Sequence, residues 1–147
     1  MIVVDTNILV YAHREELPHH EISLRCITQL AESNAPWGIT VFTIGEFLRV
    51  VTHPRVFDPP SSLKQATSAL QNMLLSPSIR ILIPGEHFVQ CLFECVNEGD
   101  TRGNLVFDAQ IAAVCYEYGI REIVTFDRDF ARFKKLHAIS AGEYLID

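Results

Sequence analysis

The chain opens on Met1-Ile2-Val3-Val4, a β-prone run without a polar residue to turn toward water. A strand with one wet face alternates apolar and polar residues. A strand that is apolar throughout is covered on both faces, as in a parallel sheet with helices above and below it. Short runs of similar character recur at Trp37 to Thr40, Ile79 to Ile83 and Glu122 to Thr125, with a short fifth at His137 to Ile139. Helix-patterned stretches lie between them. Asp5-Thr6-Asn7 reads as a strand end passing into a helix cap, and residues 20–32 carry Ile22, Leu24, Ile27 and Leu30 at helical spacing. Asn34-Ala35-Pro36 breaks that helix. Thr43 with Glu46 three residues on predicts a capping box for a helix to about Val51, which His53-Pro54 ends. Further helices are expected over 63–75, 87–98 and 104–118, the last stopped by Gly119. Residues 130–135 read as a short helix.

This alternation predicts one α/β domain over residues 1–147, with a mainly parallel central sheet of four to five strands and helices on both faces. At 147 residues and 48% hydrophobic, the chain has the size of a single domain with a full core. No run of about 18 apolar residues marks a membrane span. The first ten residues lack a basic region and meet a charge at Asp5, so they do not read as a signal peptide. Cys26, Cys91, Cys95 and Cys115 stand in apolar, helix-like surroundings without C-x-x-C spacing. They read as reduced, buried thiols of a cytoplasmic protein rather than disulfides or zinc ligands.

Against this frame four acids stand out. Asp5 ends the first strand, Glu46 lies in Val-Phe-Thr-Ile-Gly-Glu-Phe-Leu, Asp108 in Leu-Val-Phe-Asp-Ala-Gln-Ile, and Asp127 follows Ile-Val-Thr-Phe. Each is set in apolar sequence, where an unpaired charge is costly or loses its charge through a shifted pKa. Ligand sites of open α/β sheets gather outside the carboxyl ends of the strands, where Asp5 and Asp127 should point. An oxygen-only site of this kind suits Mg²⁺ or Mn²⁺, which offsets the mutual repulsion of the acids and acts on phosphodiesters. The plain alternative is that Asp5, Glu46 and Asp127 only cap helices. It explains Asp108 less well, because that residue sits within the turns of a packed helix.

The net charge of −6 is not that of an obvious nucleic-acid binder, since phosphate contacts rest on Lys and Arg. Basic residues do gather near Arg49 and Arg55 and again at Arg121, Arg128, Arg132, Lys134 and Lys135. A solvated face is the simpler reading of either group. The histidines form no metal pattern: His19 and His20 read as exposed, and His53 as part of a turn. Trp37, Phe42, Phe47 and Phe57 read as core or subunit contacts, as do Leu70, Met73, Leu74 and Leu75.

Four segments together carry a resemblance: Val-Asp-Thr-Asn-Ile-Leu-Val-Tyr-Ala from Val4, Ile-Gly-Glu-Phe-Leu-Arg-Val-Val-Thr-His-Pro-Arg from Ile44, Gly-Asn-Leu-Val-Phe-Asp-Ala-Gln-Ile-Ala-Ala from Gly103, and Ile-Val-Thr-Phe-Asp-Arg-Asp-Phe from Ile123. In this order, nearly end to end, the chain resembles a PIN-domain ribonuclease, and more narrowly the VapC-type toxins of toxin–antitoxin pairs. The resemblance implies a metal-dependent endoribonuclease that hydrolyses RNA phosphodiester bonds with Mg²⁺ or Mn²⁺. Its acidic site falls on Asp5, Glu46, Asp108 and Asp127, with Asp5 and Asp108 foremost as metal ligands. Thr6 and Asn7 match a polar pair that orients Asp5 or a water, and Thr125 matches a polar position near the site. Asp129 matches a further acid, which either supports the site or caps the helix expected after it; the second reading is preferred. A homodimer and inhibition by a small cognate antitoxin are also implied. Such a dimer would align Arg49, Arg55, Arg128 and Arg132 along one RNA groove.

Two other functions stay open from sequence. One is a non-catalytic PIN-like module that binds RNA or protein, although carboxylates that repel phosphate serve a binder poorly. The other is a phosphotransfer enzyme with Asp5 as nucleophile, which the missing second acid at Asn7 disfavours.

Overall fold

The computed structural model describes residues 1–146. Its parallel sheet contains β1 (Ile2–Val4), β2 (Trp37–Thr40), β3 (Ile79–Leu82), β4 (Glu122–Val124) and β5 (His137–Ile139), in the order β3-β2-β1-β4-β5. Between and after the strands run α1 (Thr6–His13), α2 (His20–Glu32), α3 (Val41–Val51), α4 (Leu63–Leu74), α5 (Phe88–Gly99), α6 (Leu105–Glu117) and α7 (Ala141–Ile146). None of these helices is long and apolar enough to cross a membrane.

The double-sided covering predicted for the first strand is present residue by residue. Val3 packs with Ile123, Leu82 and the buried faces of α5 and α6, whereas Val4 packs with Val124, Trp37, Ile39 and the helices α1 to α4 and α7. Successive strand residues point to opposite faces, so a run of apolar residues feeds two separate cores at once. Fully burying a valine or isoleucine contributes about 1.5–3 kcal/mol, which makes this short strand the hub of both layers.

From β1 the chain moves outward through β2 to β3, then returns to the other side of β1 for β4 and β5. The direction of winding therefore reverses between β1 and β4. Helices diverge at such a point and leave a crevice beyond the strand ends. Asp5 follows β1, and Asp127 lies three residues past Val124 at the end of β4.

Local chemistry explains several helix ends. Ser62 and Gln65 form a reciprocal capping box for α4, which satisfies two N–H groups left without helical partners. The helix α3 departs from the sequence reading: Thr40 caps it, accepting the Thr43 N–H at 3.2 Å, and no Thr43–Glu46 capping box forms. Thr43 is buried one turn inside, and its hydroxyl is satisfied by Thr40 Oγ1 at 3.1 Å. Glu46 is thereby free to face the crevice. Residues 130–135 do not form the expected helix either. A 3-10 turn runs from Arg128 to Arg132 and is capped by Asp127, whose Oδ1 accepts the Asp129 N–H at 2.9 Å. Gly99 ends α5 where Phe133 and Arg132 crowd its Cα, so a side chain there would press on the turn that carries Asp127 and Asp129.

Candidate active site

Asp5 is 5% exposed and reaches two donors. Its Oδ1 accepts the Thr6 N–H at 2.7 Å, and its Oδ2 accepts the Thr125 hydroxyl at 2.7 Å. The same Thr125 oxygen accepts the Asp127 N–H at 2.9 Å and the Asn7 amide at 3.2 Å. One buried hydroxyl thus ties the residue after β1 to the segment after β4, across the switch point. Thr6 turns its side chain the other way and donates to Glu46 Oε2 at 3.2 Å. Thr6, Asn7 and Thr125 therefore work as a brace joining α1, α3 and the loop after β4.

Asp108 enters from the first turn of α6. Carboxylate oxygens of Asp108, Asp127 and Asp129, all half-buried, lie within 4.8 Å of one another. Asp129 is therefore a member of the cluster and not the cap predicted for it; Asp127 is both cap and cluster acid. Asp5 is not in that closest group of three but adjoins it, since its charge bears on Asp108. Asp5, Glu46, Asp108, Asp127 and Asp129 thus gather at one place: the charges of the other four all bear on Asp108, and Glu46 is tied in from α3 through Thr6.

The electrostatics match that crowding. Burial is the largest cause raising Asp5 to about 7; the bonds from Thr125 and Thr6 oppose it, and Glu46 and Asp127 add to it. Asp108 also rises to about 7, first through burial and then through the charges of Asp127, Asp5, Glu46 and Asp129. Counter-charge within the protein is scarce. Among the described residues Asp129 pairs with Arg132 at 3.2 Å, while no ion pair reaches Asp5, Glu46, Asp108 or Asp127. Acids gathered this way, all of them oxygen donors, have the donor chemistry of a hard divalent cation.

Arg132 was expected to help line an RNA groove. It donates from Nε to Asp129 and from Nη1 to the Gly99 carbonyl at 2.9 Å, so it fixes the 3-10 turn. The D-x-x-R spacing is the signal that would have found this pair. His53 has a turn role, its Nδ1 accepting the Arg55 N–H at 3.0 Å. His19 is exposed yet stacks on Phe126 with ring centroids 4.3 Å apart, while His20 is half-buried and bonds the Tyr11 carbonyl at 2.8 Å.

Sequence reasoning missed a pocket of about 270 Å³ between α3 and α6, lined by Phe42, Gly45, Glu46, Arg49, Phe107 and Gln110. Phe107 immediately precedes Asp108 and is 56% exposed. The helix α6 is apolar on nearly every side, so no spacing in it separates an exposed phenylalanine from a buried one.

The model of the PIN domain family matches residues 2–136. Ribonuclease VapC43 of Mycobacterium tuberculosis is 36% identical over 136 residues, 92% of this chain and 92% of the relative. Ribonuclease VapC31 of the same species is 30% identical over 139 residues, 95% of this chain and 97% of the relative. Among solved structures, VapBC2 from Rickettsia felis bound to a DNA fragment from its promoter superposes with a TM-score of 0.71 at 22% identity. The match covers 95% of this chain and 98% of that one, and it shows a shared fold.

Proposed function

The chain belongs to the PIN-domain family, among its VapC ribonucleases, and we propose that it is the toxin of a toxin–antitoxin pair, an endoribonuclease that hydrolyses RNA phosphodiester bonds. The observation that carries the reading is the crevice at the β1–β4 switch point, where Asp108, Asp127 and Asp129 converge beside Asp5 and only Asp129 is paired with a basic side chain, that of Arg132.

Asp5, Asp108 and Asp127, with Glu46 beside them, are the residues that would hold a divalent cation, Mg²⁺ or Mn²⁺; Asp129 supports them. When bound, such an ion supplies charge neutralisation, polarises the scissile phosphate and favours an ionised water. The chain's own contribution is positional. Thr125 fixes the orientation of Asp5 and the backbone of Asp127 together, so that two ligands from separate strands keep a set spacing. Thr6 holds Glu46 toward the crevice and limits its rotamers. Burial of Asp5 and Asp108 removes competing water, and for that reason both acids must give up protons to take a cation near neutral pH.

The same proposal takes residues 1–147 as one domain, the cytoplasm as its place of action, and a homodimer and a small antitoxin as its partners. Support for protein partners comes from exposed apolar side chains: Ile83 is 60%, Val89 56% and Phe93 62% exposed. Val89 and Phe93, four residues apart, share one face of α5, and apolar surface left in water on a helix face is what an interface covers.

Incubation of the purified protein with RNA tests the activity. Cleavage should require Mg²⁺ or Mn²⁺, stop with EDTA, and disappear in Asp5→Asn and Asp108→Asn while circular dichroism stays unchanged. Full activity in either variant would remove the crevice as the site.

A further inference from the structure

The groove between α3 and α6 is open at a place where the helix itself would favour filling. Gly45 stands inside α3, and a Cβ built there meets nothing within 4 Å. Glycine weakens a helix interior because it gives up more backbone freedom than any other residue. Tight packing does not call for it here, since the space beside it is empty. That space is the groove, and Glu46, next in sequence, belongs both to the groove and to the acidic crevice.

Its walls have the character of an aromatic clamp. Phe42 is supported from behind by Phe88, their ring centroids 5.7 Å apart. Phe107 projects from α6 with over half its surface in water, although it neighbours the most buried stretch of the molecule. Polar groups sit at the rim: Gln110 offers both a donor and an acceptor, and Arg49 is exposed and enters none of the ion pairs among the described residues.

We propose that this groove is a nucleobase subsite, which takes one unpaired base of the RNA against Phe107 and Phe42 beside the bond to be cut. The identification of the ligand as a base of the substrate rests on the ribonuclease reading. Every base offers a π-face to an aromatic side chain, and single-stranded RNA is commonly held by such stacking. Gln110 can read the edge of the base, and Arg49 can meet a neighbouring phosphate. The groove thus sets which base stands next to the cleaved bond.

The decisive experiment uses protein labelled with fluorophenylalanine, the Phe107 resonance being assigned with Phe107→Leu. Each of the four 5′-nucleoside monophosphates is titrated in turn. At least one should shift the Phe107 resonance saturably, and Gly45→Leu, which fills the groove from α3, should abolish that shift without lowering the melting temperature. No shift with any of the four, or an unchanged shift in Gly45→Leu, overturns the proposal. In parallel, a random single-stranded RNA pool is cleaved with Mn²⁺ and the fragment ends are sequenced. Phe107→Ala and Gly45→Leu should lower cleavage of the pool by about tenfold, the order expected for one lost stack, and Gln110→Ala should flatten the base preference at one position beside the cut. Cleavage with an unaltered preference overturns the subsite and leaves the ribonuclease standing. A saturable Phe107 shift without any cleavage does the opposite. If light scattering shows that Phe107→Ala or Gly45→Leu splits a dimer, a second copy of the chain covers the groove, and the proposal falls.

Discussion

The two ends of the central sheet handle buried polar groups in opposite ways. At the amino ends of β2 and β3, the Trp37 indole N–H donates to Ser78 Oγ at 3.1 Å, and Ser78 Oγ donates in turn to the Leu30 carbonyl at 3.2 Å. Ser76 adds a bond to the Ala31 carbonyl. Donors and acceptors there satisfy one another, and no charge is involved. At the carboxyl ends of β1 and β4 the chain gathers acids instead, and two of them are pushed to about 7 by burial and by one another. Satisfied neutral networks hold a fold together. A set of like charges weakens it, and such sites persist where something other than stability depends on them.

Substitutions at the two ends should therefore separate activity from stability. The largest expected effect is on cleavage by Asp108→Asn, a fall of at least about 100-fold, since even residues that only orient metal ligands are worth 10–100-fold. Next comes Thr125→Val, which removes the hydroxyl shared by Asp5 and Asp127. Cleavage should drop about 10–100-fold, and the acid limb of its pH–rate profile should move to higher pH, because a bond that favours ionised Asp5 is gone. An unmoved profile would make Thr125 merely a packing residue. At the opposite end, Ser78→Ala leaves the Trp37 N–H unpaired in the core and should cost about 1–3 kcal/mol of stability by chemical denaturation. Its cleavage rate per folded molecule should stay unchanged.

The smallest effect has the most specific sign. Asp5 and Asp108 hold their protons to about pH 7 in the fold, against an ordinary value of 3.8. Between those limits the folded chain binds more protons than the unfolded one, so these acids make stability fall as pH rises from about 4 to about 7. Asp108→Asn should accordingly raise the melting temperature of metal-free protein by a few degrees at pH 7.5, about 1 kcal/mol. The gain should vanish at pH 5, where Asp108 is already neutral.

How far this contrast was legible in the sequence depends on how local each signal is. The apolar run at Ile2 to Val4 and the acid that ends it specify a doubly covered strand and a charge at its tip, and the fold places both as expected. The choice between Thr40 and Thr43 as the cap of α3 was not legible, because both have the required hydroxyl and only burial separates them. The capping role preferred for Asp129 falls to Asp127 for a related reason: in Asp-Arg-Asp either acid can cap, and the 3-10 geometry decided for the first. The helix α7 was overlooked although Ser140 and Glu143 have capping-box spacing and exchange bonds at 2.6 and 3.1 Å. Phe107 lay beyond sequence reasoning, since α6 buries consecutive residues and shows no polar face to contrast with an exposed one.

The central claim is that the acids at the switch point exist to hold a divalent cation. Calorimetric titration of the metal-free protein with Mn²⁺ at pH 6 and pH 8, in two buffers of different ionisation enthalpy, tests it most directly. Saturable binding, tighter at pH 8, is predicted, with protons released at pH 6 as Asp5 and Asp108 ionise, and with binding lost in Asp108→Asn. Absence of Mn²⁺ binding at both pH values, or equal binding by Asp108→Asn, would contradict it.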